Sequence, residues 1–388
     1  MPVDFNNLEI AFAAKNDKAL KKTHFVFSTM KSNALVKAGT TLTKLALKSG
    51  LPVKGIIKRT LFDIFCGGET IDECVRTAAQ MQKFKVGAIL DYSVEGEKTE
   101  AGFDSTCAEI IRTVERAGKS ENMPFAAFKV TGVGAFDLLA KIHEGKALSS
   151  DEEAAYGRVE ERVARICGKA AELGVPVLID AEETWIQKPI DDLTIAMMEK
   201  YNKGRALVYY TFQMYCHRML ENLKELHAMA SEKGYVLGAK LVRGAYMEKE
   251  RARSFDLHYA DPIQPDKQST DRDFDAGLEF CVENVKEVNL FAGSHNEDSN
   301  LKLAKLIGDH GLSVDDKRVS FGQLFGMSDN ISYNLANAGY NVAKYVPYGP
   351  IKASMPYLFR RAEENTSVKG QSSRELTLIE REIARRKS

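Results

Sequence analysis

Residues 206–242 read ALVYYTFQMYCHRMLENLKELHAMASEKGYVLGAKLV, and the order of patterns inside this stretch decides the fold. Ala206 to Gln213 and Tyr235 to Val242 are short runs rich in apolar, aromatic and β-branched side chains, the composition of strands buried on both faces. Between them Met219, Leu220, Leu223, Leu226 and Met229 recur at helical spacing, and Gly234 closes that helix. Strand, helix and strand therefore follow one another directly.

Working outward, the same alternation recurs. Further buried-strand runs are Val86 to Asp91, Ala126 to Thr131, Pro176 to Asp180, Val288 to Ser294, Arg318 to Phe321 and Val342 to Val346. Amphipathic stretches separate them, such as Val159, Val163 and Ile166 closed by Gly174. About eight strand–helix units over roughly 280 residues are what a (βα)8 barrel of the TIM type requires. An open doubly wound sheet alternates in the same way. The barrel is favoured because polar groups end most of the runs: Asp91, Lys129 with Thr131, Asp180, Gln213, Arg243, Ser294 with His295, and Tyr345 before a Pro-Tyr-Gly turn. Any one of these could be an ordinary polar loop, but in a barrel such ends converge on one pocket.

Residues 1–60 carry helical spacing without a strand signal, with Leu42, Leu45 and Leu47 ahead of a Gly-Leu-Pro break at Gly50. They form an expected N-terminal helical arm, followed by a barrel over 61–372 and a C-terminal amphipathic helix over 373–388. The segment from Ala135 to Gly174 exceeds the length of one barrel helix. Across all 388 residues, 54 Lys and Arg balance 54 Asp and Glu, so no basic excess exists to neutralise a phosphate backbone, and nucleic acid is excluded as a partner. No apolar run reaches the ~20 residues of a membrane-spanning helix, and MPVDFNNLEI lacks a signal pattern. The expectation is a cytoplasmic chain with at most peripheral contact at the inner membrane. Cys66, Cys74, Cys107, Cys167, Cys216 and Cys281 stand singly and read as reduced, buried thiols.

Thr131-Gly132-Val133-Gly134-Ala135-Phe136-Asp137 begins like a dinucleotide fingerprint, but Asp137 stands where the third glycine belongs. No GK[ST] loop and no HExxH spacing occur, and the seven His are scattered, so no metal site is expected. Three stretches carry chemistry. Asp180-Ala181-Glu182-Glu183 sets three carboxylates just past an apolar strand, where a partly desolvated charge needs a cationic partner. Lys240-Leu241-Val242-Arg243-Gly244-Ala245-Tyr246 alternates charge with apolar side chains and then places a glycine where a flat or phosphorylated group could come close. Tyr357 to Asn365 opens a helix in which Arg360 and Arg361 are adjacent, a repulsion that a bridging anion relieves. The plainer readings are a structural ion pair, a strand whose charges reach solvent, and a solvated helix with an Arg360–Glu364 pair.

With these stretches in view, the chain resembles the proline dehydrogenase (proline oxidase) family. The resemblance lies in IDAEET (179–184), TFQMYCHR (211–218), LVRGAYMEKERAR (241–253), GSHN (293–296), QLFGMSD (323–329), YVPYGP (345–350) and YLFRRAEENTS (357–367), in the family's order. The wording is closer to the monofunctional, mitochondrial-type members than to the long bifunctional bacterial proteins. The resemblance implies a distorted (βα)8 barrel holding FAD, with a final helix over the barrel mouth that carries the substrate-binding arginines. The implied reaction is oxidation of L-proline to Δ1-pyrroline-5-carboxylate, the first step of proline catabolism, with hydride passing to flavin N5 and electrons then to a quinone. Pyrroline-5-carboxylate dehydrogenase is the implied partner for the product.

Carried over by motif position, Arg360, Arg361 and Lys129 grip the proline carboxylate, while Tyr246, Leu324, Tyr345 and Tyr357 wall in the ring. Asp180 orders the cationic cluster and Glu95 gates the pocket. For FAD, the resemblance places Gln213 at the pyrimidine edge, and Val242, Arg243, Gly244 and Ala245 along the ring and phosphates. It places Ser294, His295 and Asn296 near the adenylate, and adds Ala181, Lys267 and Glu364. Lys240 stands where the bifunctional proteins have Arg beside flavin N5, so a donor is kept but a bidentate one is not. The bulk of Tyr345, where hydroxyproline-selective relatives carry a smaller residue, argues for proline. Hydroxyproline dehydrogenase and a non-catalytic barrel with a binding role are the alternatives. The terminal helix with Arg385-Arg386-Lys387 could rest on a membrane, but it is short and Glu-rich, which favours packing on the barrel.

Overall fold

The computed structural model describes residues 3–32, 36, 38–43, 54–93, 97–367 and 371–388, with the side chains of 363–367 and 371–373 outside the description. Eight strands, β1 (Val86–Tyr92), β2 (Ala126–Lys129), β3 (Val177–Asp180), β4 (Val208–Gln213), β5 (Leu237–Val242), β6 (Val288–Gly293), β7 (Val319–Leu324) and β8 (Val342–Tyr348), are hydrogen-bonded in chain order into a closed parallel barrel. The eight sequence runs all become strands, with ends displaced by a few residues. The largest shift is at β7, which runs on to Leu324, and β2 stops at Lys129 and gives way to a 3-10 turn over Val130–Gly132. The expected alternation thus closes into the (βα)8 architecture rather than an open sheet.

By chain contacts the molecule divides into two compact units, residues 96–322 and residues 1–95 with 323–388. The first holds β2 to β6 and the helices α4 (Glu100–Ala117), α5 (Phe136–His143), α6 (Ser150–Leu173), α7 (Thr184–Tyr201), α8 (Met219–Glu232), α9 (Met247–Asp256), α10 (Lys267–Glu283) and α11 (Glu297–Asp309). The over-long segment after Ala135 resolves into two helices, α5 and α6. Helix α6 begins with a capping box, in which Ser149 accepts from the Glu152 N–H and Glu152 accepts from the Ser149 N–H, and ends at Gly174 with φ +65°. Val177, Leu178, Val208, Leu237, Leu241 and Val288 are fully buried, so the strands bury side chains on both faces as a parallel sheet demands.

The second unit holds β1, β8 and the helices α1 (Leu8–Ala11), α2 (Asp17–Met30), α3 (Ile71–Gln82), α12 (Asp329–Asn337), α13 (Ile351–Ser367) and α14 (Gln371–Arg385). Between α2 and α3, the helical turns Lys54–Ile57, Lys58–Phe62 and Asp63–Phe65 follow one another, the middle one π-helical. One apolar cluster joins Leu8, Phe12, Phe27 and Phe62 from the N-terminal stretch to Met355 and Leu358 of α13 and to Leu376 and Ile379 of α14. The terminal helix packs on the rest of the chain, but its main partner is the N-terminal arm rather than the barrel as expected: Arg386 reaches Asp17 at 2.9 Å and the Phe12 carbonyl at 3.0 Å. No helix among the described residues is long and apolar enough to cross a membrane. All six cysteines are buried and unbridged, as their spacing predicts.

Candidate active site

The register of the sheet builds the first part of the site. Lys129 and Asp180 are register partners at the ends of β2 and β3, so their side chains leave the sheet on the same side. Lys240, the fourth residue of β5, reaches the same carboxylate. Its Nζ lies 2.6 Å from Asp180 Oδ1, and Lys129 Nζ lies 3.5 Å from Oδ2. The Asp180 side chain keeps only 13% of its surface exposed and Lys240 only 7%. Burial alone would raise the Asp180 pKa, but Lys240 and Lys129 override it and hold the carboxyl below its usual range. Two ammonium groups flank one buried carboxylate, which holds them side by side in a partly desolvated place. That arrangement suits an anionic ligand.

The sequence reading counted Glu182 among three carboxylates needing a cationic partner but gave it no site role, and its hydrogen-bond partner is Thr131. Glu182 is buried, accepts a hydrogen bond from the Thr131 N–H at 3.0 Å and another from the Thr131 hydroxyl, and so ties the turn behind Lys129 to the loop behind Asp180. Burial pushes its carboxyl up to about 7 against the pull of those hydrogen bonds. Gln213 donates to the Glu182 carbonyl at 2.7 Å. An overlooked residue, Glu250 of α9, is wholly buried and accepts from the Thr184 N–H at 2.7 Å and its hydroxyl at 2.6 Å. It locks the loop after β5 to the start of α7. The signal available was two Glu, Glu248 and Glu250, in the first turn of a helix following a glycine-containing loop, which is too common to stand out.

A second cluster gathers at the ends of β5 and β6. Arg243 donates through Nε to Asp271 at 2.6 Å, through Nη1 to Ser294 at 2.8 Å and through Nη2 to Ser299 at 2.9 Å, and its guanidinium lies 4.4 Å from the centre of the Phe274 ring. Lys267 pairs with the same Asp271. Burial opposes ionisation of Asp271, yet Lys267 and Arg243 hold its pKa down. Asn296 caps α11 by accepting from the Ser299 N–H at 3.0 Å, and His295 sits half-buried beside it. Gly244 has φ +141°, and a Cβ there would lie 2.4 Å from the Tyr215 ring, so no side chain fits where the backbone passes. Val242 ends β5, Ala245 is exposed and Tyr246 is half-buried under the Lys249 ammonium, 5.6 Å from its ring centre. Ala181 is half-buried next to Asp180. Two cations to one carboxylate, with serine hydroxyls beside them, is a donor set that fits a dinucleotide pyrophosphate.

The other expected site residues belong to the unit formed by residues 1–95 and 323–388. Tyr345 lies mid-strand in β8, buried, with its carbonyl accepting from the Phe325 N–H at 2.8 Å. Leu324 ends β7 and is half-buried. Helix α13 starts at Ile351, a turn and a half before the expected opening at Tyr357, because Pro356 is accommodated inside it. Tyr357 and Arg361 are buried on that helix with the guanidinium 5.2 Å from the ring centre, and Arg360 is half-buried. Glu95 and the Glu364 side chain lie outside the described residues.

Comparison with known proteins agrees with the motifs. The family model described as "Proline dehydrogenase" matches residues 74–374. The carbapenem antibiotics biosynthesis protein CarD of Pectobacterium carotovorum is 34% identical over 83% of this chain and 84% of its own length. Proline dehydrogenase 1, mitochondrial, of Dictyostelium discoideum is 31% identical over 97% of this chain and 74% of its own. A hydroxyproline dehydrogenase of Xenopus laevis is 31% identical over 85% of this chain and 78% of its own. Among solved structures, proline utilization A of Bdellovibrio bacteriovorus superposes with a TM-score of 0.72 at 20% identity, over 93% of this chain and 38% of that longer one.

Proposed function

The chain belongs to the proline dehydrogenase family, an oxidoreductase family acting on proline, and from that premise we propose that it converts L-proline to Δ1-pyrroline-5-carboxylate using FAD and a quinone. The observation that carries the reading is the Asp180 trio, a buried carboxylate held between Lys129 at the end of β2 and Lys240 within β5. Ammonium groups fixed side by side in this way present charged N–H donors suited to a small carboxylate, and proline brings one. The resemblance assigns Lys129, Arg360 and Arg361 to that carboxylate. Asp180 holds Lys129 and Lys240 in place, and Tyr246, Leu324, Tyr345 and Tyr357 bury the methylenes of the ring.

FAD, when bound, supplies the two-electron acceptor. Arg243, Lys267 and Ser294 hold its phosphates, with His295 and Asn296 beside the adenylate. Gln213, Ala181 and the Val242–Ala245 backbone line the ring system. Lys240 places a single ammonium donor near the flavin and keeps it desolvated. Dry, fixed side chains orient the substrate for hydride transfer and exclude water; the protein supplies no strong base of its own.

The purified protein should be yellow and bleach anaerobically when L-proline is added, and Arg361→Met should abolish the bleaching at low proline while leaving the flavin spectrum. A colourless protein that takes up no FAD, or unchanged turnover in Arg361→Met, overturns the reading. Hydroxyproline is the second substrate to test, because a dehydrogenase of that imino acid is similar over most of its length. The bulk of Tyr345, buried in β8, favours proline by leaving no room for a 4-hydroxyl group, and the ratio of kcat/KM on the two imino acids decides it.

A further inference from the structure

Away from the Asp180 trio, a second buried ion cluster lies at the start of α12. Lys344 of β8 is almost wholly buried, and its Nζ donates to Asp329 Oδ1 and to the Met327 carbonyl, each at 2.6 Å. Lys15, from the turn between α1 and α2, pairs with the other oxygen of Asp329. Glu375 of α14, also buried, accepts from the Ser328 N–H next door. Ser328 itself is held at φ +50°, a left-handed conformation that a serine adopts only when its surroundings enforce it. Lys344 and Glu375 are the two ends of the segment that contains α13, and both ends are fastened at one point.

We propose that Asp329 is a positioning residue for substrate capture: by tethering Lys344 directly and Glu375 through Ser328, it closes the base of the segment that carries Arg360 and Arg361, while Lys15 pins the N-terminal arm to the same node. This rests on the reading of Arg360 and Arg361 as the carboxylate clamp. Asp329 touches neither substrate nor cofactor. Its effect runs through the seating of α13, whose buried Met355 and Leu358 meet Phe12 and Phe27 of the arm in one apolar cluster.

The cluster also makes the seating respond to pH. The charged groups around Glu375 are Lys15, Lys344 and Asp329; its helix neighbour Arg374 is engaged with Asn6, and the Tyr333 ring lies 6.0 Å from the Lys344 ammonium. Burial and then the charge of Asp329 push the Glu375 carboxyl up to about 7, from an ordinary 4.5. Burial favours a raised Asp329 pKa too, but Lys15 and Lys344 outweigh it and hold Asp329 at about 2. The seated form therefore keeps a proton on Glu375 that an unseated form has lost. Seating weakens as pH rises from about 4.5 to about 7 and is constant above that.

The test compares Glu375→Gln, Asp329→Asn and Arg361→Met with the parent enzyme for FAD content, kcat and KM for proline between pH 5 and 8.5. Arg361→Met tests the clamp itself, and a KM unchanged in that variant overturns the clamp reading rather than the positioning role. Glu375→Gln mimics the protonated side chain, so the ratio of parent KM to Glu375→Gln KM should climb severalfold between pH 5 and 7 and then level, with kcat and FAD content within twofold. Asp329→Asn should raise KM at least tenfold with FAD content retained. A pH-independent KM ratio in Glu375→Gln, together with a raised KM in Arg361→Met, overturns the positioning role. Should Asp329→Asn fail to fold, the Glu375→Gln profile decides alone.

Discussion

Asp180 and Asp329 are each held between two lysines, each with a glutamate nearby whose pKa burial raises to about 7, and what separates them is how tightly the lysines are held. Around Asp329, Lys344 is almost wholly buried and is fixed by the carboxylate and by the Met327 carbonyl, each at 2.6 Å, while Lys15 takes the other oxygen. Around Asp180, Lys240 is held at 2.6 Å, but Lys129 stands at the end of β2, 3.5 Å from the carboxylate and with 22% of its side chain exposed. A cation fixed by two short bonds in the interior has little left to offer a ligand, whereas one held loosely at a strand end can turn to it. The finished cluster positions; the other, with Lys129 loosely held, binds.

This contrast is broken most sharply by stability. Lys344→Met leaves a buried aspartate short of one partner, and unfolding in urea should show a loss of about 3–5 kcal/mol. Lys129→Met removes the loosely held, partly exposed ammonium of the other trio and should cost less than about 1 kcal/mol on the same scale. Equal losses would mean that both clusters are structural and that Lys129 has no role in binding.

A second way in is the pH dependence of stability. Glu182 has an ordinary pKa of 4.5 and is pushed by burial up to about 7 when folded. Between those values the folded chain keeps a proton that the unfolded chain has released, so stability falls as pH rises through that window and then levels. Glu182→Gln cannot lose a proton, and Gln can still both accept and donate at the Thr131 pair. Its stability relative to the parent should therefore rise across that window, by at most about 3 kcal/mol. Urea midpoints at several pH values check it, and parallel curves for the two proteins would show that Glu182 titrates normally.

Lys129→Met should also act on function. A hydrogen bond to a charged group contributes about 1.5–3 kcal/mol, so KM for proline should rise roughly 10- to 100-fold while the flavin content stays unchanged. Lys344→Met cuts the tether that Asp329 makes and should raise KM only together with its loss of stability; a raised KM at unchanged stability would blur the distinction between binding and positioning clusters.

How much of this could be read from the chain differs between the same two regions. Asp180 and Lys240 were legible because each places a charge in or at the end of an apolar run, and a barrel gathers such ends. Arg243, Ser294, His295 and Asn296 were reached by motif. The end of β2 was not legible: Thr131 leaves the strand because Glu182 takes both its N–H and its hydroxyl, and that partner lies 51 residues away. The last helix was read as opening at Tyr357, yet α13 runs from Ile351 through Pro356, a residue that breaks most helices. Lys344 in Val-Ala-Lys-Tyr-Val was a visible anomaly, a charge amid an apolar strand, but its partners Asp329 and Lys15 are set by packing rather than by any local pattern. Local sequence announces that a charge is out of place; only the fold supplies what compensates it.

The finest division between the clusters lies in the hydroxyl of Thr131. Thr131→Val removes the hydroxyl donor to Glu182 and keeps the backbone one at 3.0 Å, with little change in volume. Losing a hydrogen bond of this kind costs about 1 kcal/mol, and the cost falls on the turn that carries Lys129 rather than on the core. The expected result is therefore a KM for proline raised about fivefold, an unfolding midpoint nearly unchanged, and the Glu182-dependent step in stability moved to higher pH because one of the bonds favouring its ionised form is gone. A change in stability without a change in KM would place Thr131 and Glu182 with the finished cluster, as scaffolding. Lys129 would then owe its position beside Asp180 to the strands alone.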